Sequence, residues 1–63
     1  MYILEGQRVM HDKEVYKEFP EGERAVAEFE YDVTKAVCQY LVLYKVIDGD
    51  KNKREQIALY YKN

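Results

Sequence analysis

The chain reads as a small, mainly β protein: an antiparallel meander of three to five strands in one domain, residues 1–63. Three observations carry that reading. Val37–Ile47 is an eleven-residue run in which only Gln39 and Lys45 are neither apolar nor aromatic. Ala27-Glu28-Phe29-Glu30-Tyr31-Asp32-Val33 alternates strictly between apolar and acidic residues, the period of a half-buried strand. Glu55–Tyr61 alternates again, with Ile57, Leu59 and Tyr61 in one set and Gln56, Ala58 and Tyr60 in the other.

Taken in order, Tyr2-Ile3-Leu4 reads as a short strand broken at Gly6-Gln7, with a second short piece at 8–10. Glu14–Phe19 reads as an edge strand interrupted by charges. Phe19-Pro20-Glu21-Gly22 is the strongest turn signal, because proline presets φ and glycine tolerates positive φ. The alternating segment 27–33 follows, then a turn at 34–36, the central strand 37–47, a polar loop at 48–53 and the last strand at 55–61.

The registers support one another. With Val33 opposite Cys38, Phe29 faces Val42; with Ile47 opposite Arg54, Val42 faces Leu59 and Tyr40 faces Tyr61. Both hairpins then put apolar residues on one side of the central strand, and a slip of one residue would undo this. The expected core face is Phe29, Tyr31, Val33, Tyr40, Val42, Tyr44, Ile57, Leu59 and Tyr61. On the second face Leu41, Leu43 and Tyr60 become apolar anchors rimmed by Glu28, Glu30 and Asp32, the pattern of a binding surface unless an N-terminal strand covers it.

A second arrangement competes. Ala25, Val26, Phe29, Val33, Ala36, Val37, Tyr40 and Leu41 also recur at helical spacing, and Pro20-Glu21 could open a helix. That alternative is an α+β fold with a helix over about 21–36 packed on a hairpin. Strict alternation and the β-branched, aromatic character of 37–47 favour strands.

Sixty-three residues allow one thin core; such a core rarely supplies more than ~3–5 kcal/mol without a disulfide, a metal or oligomerisation. The chain has one cysteine, Cys38, and one histidine, His11, so no intrachain disulfide and no multi-cysteine zinc site can form. Oligomerisation is the remaining route, and a homodimer is expected. Residues 12–32 hold eight acids against three bases, while 33–63 hold three acids against six bases. Such bipolarity suits pairing between halves or between copies. No basic segment leads into an apolar one near Met1, and the longest apolar run is too short to span a bilayer. A cytoplasmic protein with no membrane association is expected, and its single unpaired thiol fits a reducing compartment.

Catalytic residues are scarce. There is no serine, so a serine-based triad is impossible. Cys38 and His11 could pair as thiolate and base, but Cys38 falls in the apolar run, where a free cysteine is usually a small filler. Asp48-Gly49-Asp50-Lys51-Asn52 imitates the start of a calcium loop, yet Lys53 stands where glycine is needed and Leu59 where the bidentate glutamate belongs. No enzymatic activity, cofactor or metal is expected.

The leading expectation is a non-enzymatic interaction module, a regulator, inhibitor or assembly subunit, that binds itself or another protein through the face of Leu41, Leu43 and Tyr60 rimmed by Glu28, Glu30 and Asp32. The alternative is a small β-type nucleic-acid-binding module using Lys51, Lys53, Arg54 and Lys62 for phosphates, with tyrosines for base stacking. The net charge of −2 weighs against it, and tyrosine also suits protein interfaces.

Overall fold

Five elements follow one another along the chain in a computed structural model that describes residues 1–9 and 14–62. They are β1 (Tyr2–Arg8), β2 (Glu14–Phe19), α1 (Gly22–Lys35), β3 (Cys38–Ile47) and β4 (Asp50–Tyr61). The four strands form one sheet in the order β2-β1-β3-β4, with every neighbouring pair antiparallel. The mainly β, antiparallel class is thus the one expected. β1 runs unbroken through Gly6-Gln7. Gly6 is paired on both sides, with Val15 of β2 and Leu41 of β3, and it lies so close to β3 that a Cβ would collide with the Tyr40 carbonyl oxygen.

Residues 27–33 are the principal correction. They lie within α1, close to the bounds of the alternative helix at 21–36, and not in a strand. The physical reason is the core stripe. Ala25, Phe29 and Val33 recur at i, i+4 and i+8, and Ala25 is fully buried while Phe29 and Val33 pack on the core. As a helix, the segment turns Ala27 and Tyr31, which a strand would put beside Phe29 and Val33, out to water, and turns Glu30 away from Glu28 and Asp32. α1 ends at Ala36, which adopts the left-handed conformation (φ 54°) and donates its N–H to Val33 O at 3.1 Å. Alanine there bears the steric strain that glycine would avoid.

β3 and β4 form a hairpin whose register agrees with expectation at one end. Tyr40 pairs with Tyr61 and Val42 with Leu59. The register then shifts between Leu43 and Tyr44, so that Tyr44 faces Gln56 and not Ile57. The expected loop at 48–53 contracts to a two-residue turn, because Asp48 (φ 54°) and Gly49 (φ 68°) both take positive φ, as a type I′ hairpin requires. A second shift, between Val46 and Ile47, leaves 51–53 as extra residues on β4. The Asn52 N–H donates to Asp50 Oδ1 at 2.9 Å there.

The helix covers one side of β1, β2 and β3 and barely reaches β4. Beneath it lie Leu4, Cys38, Leu41 and Leu43, all essentially inaccessible, with Tyr2, Val15, Phe19, Ala58 and Tyr60 around them. The side opposite the helix carries Ile3, Tyr40, Val42, Tyr44, Val46, Leu59 and Tyr61, the alternation partners of the helix-side residues. The face expected to be core is therefore the one without a helix, and the face expected to bind is the one that the helix closes.

Candidate functional site

Leu41 and Leu43 are 0% and 1% exposed under α1, so neither is available to a partner. Tyr60 is half-buried at the margin of the same core. The expected acidic rim also takes a different form, because Glu28, Glu30 and Asp32 lie on the helix and not on a strand paired with β3. Glu28 pairs with Lys17 of β2 at 2.6 Å, and Glu30 is exposed. The Asp32 carboxyl is pushed up from its ordinary value, first by burial and then by the neighbouring Glu28 charge.

The basic residues are not gathered into one patch. Arg54 Nη1 bonds Glu5 Oε1 at 2.6 Å, and its guanidinium lies 5.3 Å from the centre of the Tyr44 ring. Lys51 Nζ bonds Glu18 Oε2 at 2.7 Å. Lys53 is exposed near them, whereas Lys62 lies eight residues along from Arg54, about 26 Å away on an extended strand. Two of the four expected phosphate contacts are already engaged by carboxylates of the same chain.

These two ion pairs shape the open face. Glu5 belongs to β1 and Glu18 to β2, strands that are not neighbours of β4. With strands ~4.8 Å apart, β2 and β4 are separated by about 14 Å in a flat sheet. Direct contact between Lys51 and Glu18 therefore requires the start of β4 to curl back over the sheet, and the extra residues 51–53 allow it. This curl accompanies the near-complete burial of Ile3, Val42 and Val46 on a face without a helix. Tyr16 completes the cluster by donating its hydroxyl to Glu18 at 2.7 Å. Glu18 is consequently held below the ordinary glutamate range, chiefly by Lys51 and then by Tyr16, while the Tyr16 hydroxyl is raised by that same hydrogen bond.

The far half of the open face is uncovered. Leu59 is 47% exposed, Tyr61 66% and Tyr16 50%; Tyr40 is half-buried, with its ring centre 6.3 Å from that of Tyr61. This aromatic and aliphatic patch, placed mainly on the edge strand β4, is the strongest candidate site. Sequence reasoning identified the residues and their common face but assigned them to the core. The length of the chain was the available signal, since one helix cannot cover both faces of a four-stranded sheet.

Cys38 is buried on the helix side, and its thiol is pushed up by burial and then by Asp32. His11, weighed above as a base for this thiol and set aside, falls outside the described residues. Among the described residues no group of three or more His, Cys, Asp or Glu side chains is placed to hold a metal ion. No described helix is long and apolar enough to cross a membrane. Comparison with family models, curated proteins and solved structures found no match to this chain.

Proposed function

We propose that this chain is a non-enzymatic protein-interaction module that pairs with a second copy of itself by packing two open sheet faces together. The observation that carries the reading is the exposure of Leu59 and Tyr61 beside Tyr40, on the half of the face that no described element covers. Sheets pack face to face through such side chains at ~10 Å separation. Charge does not oppose the contact, because Glu5 and Glu18 are neutralised by Arg54 and Lys51. The two longer dimensions of the molecule, 34 and 21 Å, bound the whole face at about 700 Å². The corresponding role is that of a regulator, inhibitor or assembly subunit.

Light scattering over a concentration series, at low and high salt, tests this. The expected result is a dimer that persists in high salt, and a Leu59→Lys variant that is monomeric with an unchanged circular dichroism spectrum. A wild-type protein that stays monomeric throughout, or a variant that still dimerises, overturns the proposal.

A further inference from the structure

The helix side of the molecule has a second opening, on the opposite side of the sheet from the tyrosines. Because α1 lies over β1, β2 and β3, it leaves a groove of about 450 Å³ between its own flank and β4. Tyr2, Val26, Ala27 and Ile57 supply apolar lining, and Glu23 and Glu30 stand on the helix wall. The helical residues are not a random set. Glu23, Val26, Ala27 and Glu30 are i, i+3, i+4 and i+7, one continuous stripe facing β4 and distinct from the core stripe of Ala25, Phe29 and Val33. Val26 is 40% exposed and Ile57 44%, so apolar surface in the groove meets water. Neither Glu23 nor Glu30 forms an ion pair among the described residues, whereas Glu5, Glu18 and Glu28 each have one.

The groove runs beside a free sheet edge. β4 pairs with β3 only, so its other row of backbone N–H and C=O groups has no strand partner among the described residues. An open edge of this kind accepts an extended segment as an added strand, with main-chain hydrogen bonds for affinity and side-chain pockets for specificity.

We propose that the groove between α1 and β4 docks an extended cationic segment of a partner protein, laid against β4 as a fifth strand. Alternate residues of such a strand point into the groove. One apolar side chain meets Ile57, Val26 and Ala27, and a lysine or arginine two positions to either side reaches Glu23 and Glu30. The spacings agree. Glu23 and Glu30 are seven residues apart, about 10 Å along the helix axis, and the two flanking cations are four residues apart, about 13 Å along a strand. Long, flexible side chains absorb the difference. Charge complementarity selects the occupant: the two exposed carboxylates on the helix wall have no ion-pair partner among the described residues, so they attract a cationic segment and repel an acidic one. The site lies on the side of the sheet away from Leu59 and Tyr61, so it stands whether or not the open faces pair.

The probe is a short synthetic peptide with isoleucine at its centre, lysine two residues to either side and threonine elsewhere. Its control carries glutamate in place of both lysines. Binding is followed by amide chemical shifts on the full chain. The lysine peptide should perturb amides of 55–59 and 22–30, and bind at least tenfold more tightly than the control. The double variant Glu23→Gln, Glu30→Gln should weaken it at least fivefold without changing the circular dichroism spectrum, and raised salt should weaken it further. Equal affinity for the two peptides overturns the proposal, as does an unaltered affinity in the double variant. So do perturbations confined to the open face or to β2. If the double variant instead loses self-association, the groove is a contact between copies and the proposal also falls.

Discussion

Truncating Leu43 separates the fold seen here from one in which β3 presents its leucines to a partner. Leu43 is 1% exposed and sits beneath α1 with Leu4 and Leu41. Leu43→Ala removes three carbon atoms, about 2.4 kcal/mol of transfer free energy at ~0.8 per group. The unfilled space brings the cost to ~3 kcal/mol, within the 2–5 measured for such truncations. A domain of this size has roughly 3–5 kcal/mol in total, so the variant retains only about 0–2. For a chain of 60–100 residues each kcal/mol is ~4–8 °C in Tm, which gives a fall of about 12–24 °C. The assay is thermal and urea unfolding followed by far-ultraviolet circular dichroism. Ile47→Ala is the internal control: its side chain is 40% exposed and lies outside the proposed contact faces, so a little over half the transfer term, ~1.4 kcal/mol, is lost. If Leu43→Ala stays within ~1 kcal/mol of wild type, the burial argument is refuted. If it also loses self-association, Leu43 is a contact residue and α1 does not cover it.

Four further outcomes follow from named positions. Gly49→Ala should cost about 1–2 kcal/mol, because its φ of 68° is left-handed although a Cβ would meet nothing within 4 Å; Ala36→Gly, at φ 54°, should stabilise by up to ~1 kcal/mol for the same reason in reverse, both read by urea unfolding. Cys38 should resist alkylation under native conditions at neutral pH and react at once in denaturant, since burial suppresses its thiolate; rapid native labelling would contradict its place under the helix. Asp32 has its folded pKa raised by burial and by Glu28, so its contribution to stability is present below the unfolded pKa and lost as pH rises through the folded one. Asp32→Asn should therefore raise the Tm at pH 7 and lose that advantage in acid, as thermal scans across pH will check.

Much of the architecture was legible from residue order. β3 follows from its run of apolar and β-branched residues, β2 from a short charge-interrupted segment ended by the Pro20-Glu21-Gly22 turn signal, and the register of Tyr40 with Tyr61 and Val42 with Leu59 from alternation alone. The candidate site was legible only as a set. Tyr40, Leu59 and Tyr61 were correctly placed on one face, but periodicity does not say which side of a sheet is covered.

Composition and periodicity by themselves determined a mainly β, antiparallel single sheet with a two-sided apolar strand, because strand alternation and turn residues act locally. Tertiary structure decided the state of residues 22–35 and, with it, the sense of the whole sheet. Ala27–Val33 satisfies a period of two and a helical period at once, so local preference is divided there. In a strand Ala27 and Tyr31 would share the face of Ala25, Phe29 and Val33; in the helix those two turn to water, and Ala25, Phe29 and Val33 alone close over Leu4, Leu41 and Leu43. Once that side is covered, the opposite face, with Leu59 and Tyr61, is the one left in water.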